Sequence, residues 1–312
     1  MSAEQPILLG DADVARLSDM GDAIAAIEAA FRSRAAGDFV APPRHVTSFP
    51  GFGNQVYTAG GTTGERPIAG FRVYNNFDKS DAVEDQLVAV WDMRTAKLEG
   101  VIVSRHVGSI RTGAIGGVAV KYMSRTNASV AAVIGAGRQA ATQIEAAARV
   151  RSLTEIRCFN RTEETRHAFA ASVQEKLGIR TIAATSSEEA VAGADIVILA
   201  TRSGTPVIRA EWLASGAYVN MLGPRLKENS EVGLDVAKCA GLIATDSPDQ
   251  VAALRFFLKD TPEMSRMIDL ADIVCGRRPG REDESATSLF CSVGLAGTEV
   301  MIATALIAAA RR

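Results

Sequence analysis

One segment, residues 130–149, constrains the fold of this chain more than any other. Five apolar residues (Val-Ala-Ala-Val-Ile) lead directly into Gly-Ala-Gly-Arg-Gln-Ala, and a helix-forming run follows. A strand, a glycine-rich turn and a helix in this order form the fingerprint of a dinucleotide-binding βαβ unit, in which alanine is a permitted third small residue. The first glycine allows the tight turn, and the second leaves the backbone N–H groups at the helix start open to a pyrophosphate. The residues predicted to hold the dinucleotide here are Gly135, Gly137, Arg138 and Gln139.

The surrounding pattern predicts an α/β fold. Segments rich in Val, Ile and Ala alternate with helix-like segments, which is typical of a parallel sheet covered by helices on both faces. The predicted strands of this sheet lie at residues 130–134, 155–159, 180–183, 195–200, 218–222 and 241–245. Earlier β-like runs are separated by turn residues and predict the hairpins of an antiparallel sheet, at 55–59 with 68–74 and at 87–91 with 98–103. Apolar spacing predicts helices within residues 11–36, 112–124 and 288–310.

The length of 312 residues suggests two domains. We predict a Rossmann-type, doubly wound domain over residues 113–287. A smaller α+β domain would span residues 1–112 and be completed by the C-terminal segment 288–312. The boundary near residue 112 follows from the change of pattern, since no low-complexity linker separates the parts.

Composition excludes several classes of function. The net charge of −2 leaves no basic surplus for nucleic acid, and no apolar run reaches the ~20 residues that span a bilayer. The four cysteines are far apart, without a C-x-x-C pair, and the N-terminus shows no secretory signal. No His, Cys or Asp spacing suggests a metal site. We therefore expect a soluble cytoplasmic protein without nucleic-acid or membrane partners and without a metal.

The end of the second strand bears on which dinucleotide is bound. NAD-selective domains place an Asp or Glu there to bind the ribose 2′-hydroxyl, whereas this chain has Asn160-Arg161-Thr162 and no acid before Glu163. A carboxylate would repel a 2′-phosphate, but a guanidinium attracts one. We predict that Asn160, Arg161 and Thr162, with help from Arg166, select NADP(H), and we keep NAD(H) as an alternative.

Several short motifs occur together in a familiar order. They are Arg111-Thr112, the glycine-rich turn, Asn160-Arg-Thr, Ala200-Thr201 with Pro206-Val207, and Ser292-Val-Gly-Leu-Ala. In this order the chain resembles the ornithine cyclodeaminase/mu-crystallin family over nearly its whole length. The resemblance implies a homodimer, with the N-terminal domain and the C-terminal helix forming the dimer interface and the floor of the substrate site. It also implies nicotinamide chemistry at an amine or imine carbon next to a carboxylate.

The matching motifs assign roles to individual residues. By this resemblance Arg44 and Arg111 look like a clamp for the substrate carboxylate, and a guanidinium fork suits that group. Thr112, Thr201 and Ser292 look like neighbours of the pyrophosphate or the nicotinamide.

The chain departs from the family pattern at two positions. Arg72 stands where the family usually carries a lysine; it keeps a positive charge for a carboxylate but cannot act as an acid or base. Arg225 stands where cyclodeaminases place an aspartate, two residues beyond a glycine. Arg225 is a candidate for binding a second substrate carboxylate. Alternatively Glu228 or Glu231 takes the place of the aspartate, or Glu231 merely starts a helix.

These departures rank the functional hypotheses. Ring closure by a cyclodeaminase needs a base for the attacking amine, so loss of the aspartate disfavours that lyase reaction. The leading hypothesis is an oxidoreductase that exchanges hydride between NADP(H) and a small amino acid/imino acid pair, as a ketimine or cyclic imine reductase or an amino-acid dehydrogenase. Ornithine cyclodeaminase and a non-catalytic NADPH-binding protein remain as alternatives. His45, beside Arg44, is a candidate proton donor.

Overall fold

The computed structural model describes residues 5–77 and 85–312. Contacts divide the chain into two compact units, one made of Met1–Arg111 and Leu295–Arg312 and the other of Thr112–Gly294. The first unit is therefore built from both ends of the chain. Within the described ranges no helix has the combination of length and apolar character that crossing a membrane requires.

The first unit is a mixed sheet with helices. Its elements in chain order are β1 (Ile7–Leu9), α1 (Asp11–Leu17), α2 (Met20–Ala36), β2 (Phe39–Val40), β3 (His45–Phe49), β4 (Gly53–Thr62), β5 (Ile68–Phe77), β6 (Gln86–Asp92), β7 (Lys97–Val103) and the first residues of α3 (Val107–Met123). The strand order is β1-β7-β6-β5-β4-β2, with β3 paired to β4. Strands β4 to β7 pair as the predicted antiparallel hairpins, whereas β1 runs parallel to β7.

Two helices supply a large part of the apolar core of this unit. Ile24, Ile27 and Phe31 of α2 are spaced three or four residues apart and are buried together. The C-terminal helix of the chain (Thr298–Ala310) is apolar except for one charged residue, Glu299, and it packs against both α2 and the sheet. Burial of almost the whole helix explains why its apolar residues show little periodicity.

The second unit is a parallel α/β sheet. After α3 its elements are β8 (Val130–Ile134), α4 (Arg138–Val150), β9 (Glu155–Phe159), α5 (Glu163–Leu177), β10 (Arg180–Ala183), α6 (Ser187–Val191), β11 (Ile196–Leu199), β12 (Tyr218–Met221), β13 (Arg225–Leu226), β14 (Asn229–Ser230), α7 (Leu234–Cys239), β15 (Ala240–Thr245), α8 (Pro248–Ala253), α9 (Pro262–Ser265), β16 (Met267–Asp269), α10 (Leu270–Val274) and β17 (Thr287–Cys291); the C-terminal helix of the first unit is then α11.

The strand order of this second sheet is β10-β9-β8-β11-β12-β17-β15-β16, and its pairings are parallel. The order of the strands along the chain reverses between β8 and β11. In doubly wound sheets this switch point opens a crevice at the carboxyl ends of the strands, where dinucleotides bind. The predicted fold class is confirmed.

Two sequence predictions were wrong in extent. Helix α3 begins at Val107 rather than residue 112, because Val107 and Ile110 continue its apolar spacing and are buried. Residues 287–291 form β17 rather than helix, and they lie in the second unit. A short run buried on both faces, as Leu289 and Phe290 are, has no periodicity that separates strand from helix.

Candidate active site

The predicted glycine turn lies at the switch point of the parallel sheet. Gly135 has a φ of +113°, and a Cβ there would lie 2.3 Å from the carbonyl oxygen of Ala200, so only glycine fits. The N–H of Gly135 donates to the carbonyl of Phe159 over 2.9 Å. The turn therefore joins the carboxyl ends of β8, β9 and β11, the place where a dinucleotide is expected.

The start of α4 fits a pyrophosphate. Gly137 is the N-cap and supplies no side-chain cap, and a Cβ at this position would meet no atom within 4 Å. Arg138 and Gln139 in the first turn are exposed, while Ala140 is fully buried against the sheet. The first N–H groups of the helix are therefore left for an anion, with the helix dipole favouring negative charge.

The segment after β9 carries two arginines, of which Arg161 is exposed and Arg166 is buried. The side chain of Asn160 accepts a hydrogen bond from the N–H of Thr162 over 2.9 Å. Arg161 is exposed and contacts no described residue by a hydrogen bond or ion pair. Arg166 is instead buried, donates to the carbonyl of Asn160 and lies over the ring of Phe159. Contrary to expectation, Arg166 supports this segment from inside and is not presented beside Arg161.

A buried carboxylate joins two loops at the same edge of the sheet. Oε2 of Glu231 accepts hydrogen bonds from the N–H and the hydroxyl of Thr201, at 3.0 and 2.7 Å. Its Oε1 accepts from the N–H groups of Leu222, at 3.0 Å, and Gly223. Burial raises the pKa of Glu231, while these hydrogen bonds act to lower it. Glu231 precedes α7 by three residues and is therefore not a helix-start residue.

Two predicted site residues of the second unit, Arg225 and Ser292, are in contact. The guanidinium of Arg225 donates to the carbonyl oxygens of Leu222, over 2.8 Å, and of Ser292. Asp246, which the sequence reasoning missed, is fully buried and accepts hydrogen bonds from the N–H groups of Val293 and Gly294, at 2.8 Å each. These contacts fix the backbone around Ser292.

Thr112 is tied to the core of the second unit through buried amides. Its carbonyl accepts a hydrogen bond from Nε2 of Gln143 over 2.7 Å, and Oε1 of Gln143 accepts from Nδ2 of Asn220 over 2.9 Å. Gln143 on α4 thereby links α3 to β12. A residue predicted to lie beside the cofactor is thus held by the same helix whose first turn faces the predicted pyrophosphate site.

In the first unit the predicted clamp arginines surround one buried carboxylate, that of Glu299. Nη1 of Arg72, on β5, lies 2.9 Å from Oε1 of Glu299, and Nε of Arg111, on α3, lies 3.3 Å from the same oxygen. Arg44 is near enough for its charge to lower the pKa of Glu299. We call Arg44, Arg72, Arg111 and Glu299 the arginine cluster. The sequence reasoning predicted its three arginines and missed its glutamate.

Neighbouring residues orient Arg72 within the cluster. Its Nη2 donates to Oε1 of Gln86 on β6 over 2.7 Å, and its guanidinium carbon lies 4.2 Å from the centroid of the Tyr74 ring. Gly108 makes room on α3, since a Cβ there would lie 2.5 Å from Nη2 of Arg72. The side chain is therefore held from β5, β6 and α3 at once.

The cluster stays charged and carries excess positive charge. Burial opposes ionisation of Glu299, but Arg111 and Arg72 prevail and lower its pKa to about 2. Its place in the first turn of α11 also favours negative charge. Burial lowers the pKa of Arg72, and the negative charge of Glu299 acts to raise it. A guanidinium remains protonated at neutral pH. Within the arginine cluster as described, three arginines lie near a single glutamate.

Polar atoms of the cluster are buried without hydrogen-bond partners among the described residues. They include Nε and Nη1 of Arg111, Nε of Arg72 and Oε2 of Glu299. Native proteins rarely leave buried donors unsatisfied without a ligand or water to meet them. Nη1 of Arg111 is therefore a buried donor that an anion could satisfy, and a carboxylate oxygen is a suitable acceptor.

His45 is not brought to the arginine cluster. It pairs across the strands with Tyr57, with the ring centroids 5.9 Å apart, and Tyr57 in turn pairs with Val73. Side chains alternate between faces along a strand, so Val73, Tyr57 and His45 share the face opposite to Arg72. The register of the strands, which the sequence alone did not reveal, determines the face of the sheet on which His45 lies.

Comparison with known proteins identifies the family. The model of the ornithine cyclodeaminase/mu-crystallin family matches residues 4–311. The chain belongs to this family. The resemblance predicted from the short motifs is therefore confirmed.

Relatives of known activity are nicotinamide-dependent enzymes. The Δ1-pyrroline-2-carboxylate reductase of Bacillus thuringiensis subsp. konkukian is 32% identical over 223 residues, covering 70% of this chain and 68% of that protein. The structure of the Thermococcus litoralis enzyme of the same name, in complex with NADH and L-proline, is 26% identical with a TM-score of 0.89 and covers 98% of this chain and 97% of that one. An archaeal alanine dehydrogenase dimer with bound NAD is 27% identical with a TM-score of 0.87 and covers 98% and 96%. The predicted activity class, an NAD(P)-dependent oxidoreductase of an amino acid/imino acid pair, is confirmed.

We predict that Glu299→Gln destabilises the protein in a pH-dependent way. The variant leaves Arg72 and Arg111 buried without a counter-charge, so the free energy of unfolding at neutral pH should fall by about 3–5 kcal/mol. The pKa of Glu299 is about 2 against an ordinary 4.5, so its contribution is present above the ordinary pKa and is lost as pH falls from there towards 2. Urea unfolding at a series of pH values measures both effects.

The control for this prediction is Glu211→Gln, which breaks an exposed ion pair with Arg209 in the second unit. It should change the free energy of unfolding by no more than about 0.5 kcal/mol. If Glu299→Gln behaved like this control, or kept the wild-type loss of stability in acid, Glu299 would not be the charged partner of the arginines.

We also predict that Glu231→Gln weakens dinucleotide binding. An amide cannot accept all four hydrogen bonds, so the loops at Thr201 and Gly223 should loosen and the dissociation constant should rise about 10-fold or more. Titration of the nicotinamide fluorescence measures this constant. Glu228→Gln is the matched control, since Glu228 is exposed and pairs only with Arg255. Equal affinities for the two variants would contradict the prediction.

Proposed function

We propose that this protein is an NADPH-dependent reductase that converts a small ketimine or cyclic imine carrying a carboxylate into the amino acid. The observation that supports this most is the buried Nη1 donor of Arg111, which has no hydrogen-bond partner among the described residues and lies in a cluster of three arginines. Such a site suits a carboxylate anion. A cyclic imine of the pyrroline-2-carboxylate kind is the first substrate to test, because two of the relatives named above are reductases of that compound.

The proposed role of the arginine cluster is to bind and orient the substrate. Arg111 would hold the carboxylate bidentately, and Arg44 and Arg72 would add positive charge around it. The reacting imine carbon is bonded directly to the carboxylate carbon, so fixing one fixes the other. Orientation of this kind supplies a large part of the rate in enzymes of two substrates.

The proposed role of the second unit is to hold the dinucleotide. The backbone at Gly135 and Gly137, with Arg138 and Gln139 in the first turn of α4, would bind the pyrophosphate. Thr112, Thr201 and Ser292 would lie along the nucleotide, and the bound reduced nicotinamide supplies the hydride. The main-chain contacts of Glu231 and Asp246 support this assignment, since they hold Thr201 and Ser292 in place.

The loop that carries Arg225 disfavours a cyclodeaminase. Arg225 donates to main-chain carbonyls, Glu228 is exposed and paired with Arg255, and both oxygens of Glu231 already accept hydrogen bonds. Within residues 222–231, all of them described, no carboxylate is therefore placed to deprotonate a substrate amine. Imine reduction does not require that base.

We predict that Arg111→Ala lowers kcat/KM for the imino acid by about 10²-fold or more, because the bidentate contact is lost. Arg111→Lys should recover only part of this loss, since an ammonium keeps the charge but not the fork. The assay follows the nicotinamide absorbance with pyrroline-2-carboxylate and open-chain ketimines. Arg16→Ala, at an exposed ion pair on α1, is the control and should match the wild type.

Three outcomes would count against the proposal. Unchanged kinetics in Arg111→Ala would remove this residue from the clamp. Tight NADPH binding without turnover of any imino or amino acid would favour a non-catalytic binding protein. Release of ammonia from ornithine without net cofactor change would instead reveal the lyase.

We further propose that the preferred cofactor is NADP(H). Arg161 is exposed, makes no ion pair with a described residue, and stands at the end of β9 where NAD-selective domains carry an acid. Asn160 turns its side-chain oxygen onto the N–H of Thr162, which keeps this short segment in one conformation. Both features favour contacts with a 2′-phosphate.

We predict that Arg161→Asp reverses or abolishes the cofactor preference. A carboxylate repels the 2′-phosphate and accepts a hydrogen bond from a 2′-hydroxyl. The ratio of kcat/KM with NADPH to that with NADH should therefore fall by about 10²-fold. Arg209→Asp, at an exposed arginine elsewhere in the second unit, should leave the ratio unchanged. A ratio that stays at the wild-type value in Arg161→Asp would refute the assignment.

We also propose a homodimer in the cytoplasm. The first unit exposes large apolar side chains on and just after β3, namely Val46, Phe49 and Phe52, and exposed apolar surface is typical of interaction sites. The archaeal alanine dehydrogenase named above is a dimer. The four cysteines are free thiols, which is consistent with a reducing compartment.

A further inference from the structure

Reduction of an imine needs a proton as well as a hydride, and the arginine cluster offers no group that releases one. The arginines remain protonated at neutral pH, and the pKa of Glu299 is about 2, so this carboxylate holds no proton to give. We propose that Tyr74 is a catalytic residue that donates the proton to the substrate nitrogen. This inference rests on the proposed imine reduction.

The strand places Tyr74 on the face of the sheet that carries the cluster. Arg72 and Tyr74 are two residues apart on β5, so their side chains project to the same side. Their partners on β6 are Val88 and Gln86, and Gln86 is the residue that accepts from Arg72. Tyr74 is therefore a direct neighbour of the proposed carboxylate site, one step along the same strand.

Contact with Arg72 fixes the ring. The guanidinium carbon of Arg72 lies 4.2 Å from the centroid of the Tyr74 ring, within the range of a cation–π interaction. This contact uses the face of the ring and leaves the hydroxyl at its edge. Tyr74 is half-buried, and its hydroxyl makes no hydrogen bond to a residue that the structure describes.

Tyr57 and Tyr218 are placed differently. Tyr57 lies on the opposite face of the sheet, and its hydroxyl donates to Oε1 of Gln55. Tyr218 is fully buried in β12 of the second unit. Tyr74 thus combines a partly exposed hydroxyl with contact to the cluster.

The proposed step balances as follows. The hydride adds to the imine carbon, the electron pair of the C=N π bond moves to nitrogen, and that nitrogen takes the proton from Oη of Tyr74. The products are the amine, the oxidised cofactor and a phenolate, which water then reprotonates. Among the described residues, the guanidinium of Arg72 on β5 lies over the Tyr74 ring, and Arg72 is in turn paired with Glu299, which also contacts Arg111.

The test compares the pH dependence of Tyr74→Phe with that of the wild type and of Tyr57→Phe. In acid, solvent protonates the imine before it binds, so the donor is dispensable; in alkali the donor is needed. Tyr74→Phe should therefore lose about 10²-fold in kcat at about pH 9 and less than about 10-fold at about pH 6. Tyr57→Phe should follow the wild type at both values.

Further measurements separate this role from a structural one. Binding of L-proline, the amino-acid product for pyrroline-2-carboxylate, is measured by fluorescence titration and should change less than about 3-fold in Tyr74→Phe, because the carboxylate contacts remain. A loss of kcat that is the same at every pH, or a loss confined to L-proline binding, would overturn the proposal and assign Tyr74 to packing.

The outcomes for the two proposals are distinguishable. If the wild type reduces the imine and Tyr74→Phe matches it across the pH range, the reductase function stands and the proton donor lies elsewhere. If the wild type reduces none of the imines, both proposals are overturned together.

Discussion

The charge balance inside the first unit depends on one oxygen atom, Oε1 of Glu299, which contacts two guanidinium groups. Arg72, Arg111 and Glu299 come from β5, α3 and α11, and Arg72 and Glu299 are separated by 227 residues. Bringing like charges together without water is unfavourable, and removing one partner of such a buried pair costs about 3–5 kcal/mol. The glutamate therefore makes the concentration of positive charge tolerable. It leaves enough of that charge unneutralised to attract an anion.

The second unit uses buried acids in another way. Glu231 and Asp246 both accept hydrogen bonds from backbone N–H groups. Each one ties together loops that follow strands at the carboxyl edge of the sheet. Their contacts with Thr201 and Ser292 hold these two residues at that edge. In both units, then, a buried acid positions residues of the candidate site.

Much of the second unit could be predicted from the sequence. Strands β8, β9 and β10 have the bounds that the apolar runs indicated, because short β-branched runs between turns and amphipathic helices carry strong local signals. The glycine turn could also be predicted, since the motif places a glycine where the backbone makes a turn that only glycine can adopt. Strand β17 could not be predicted from the sequence, because a short strand that is buried on both faces has no local feature that distinguishes it from a helix.

The first unit was harder, since its site depends on long-range pairing. The family resemblance located the arginines, but Glu299 was passed over within an apolar helix. One signal was present: a single acid in an otherwise uncharged helix must be paired if it is buried. The face on which His45 and Tyr74 lie was decided by the register of β3, β4 and β5, which hairpin patterns alone do not specify.

The composition of the first unit from both chain ends has a consequence for biosynthesis. Residues 112–294 are synthesised before α11, which carries Glu299. Domains generally fold as units during translation. Until α11 emerges, Arg72 and Arg111 lack Glu299 as their buried partner, and the nascent N-terminal sheet must keep them hydrated. The arginine cluster therefore forms only after residues 112–294 have been synthesised.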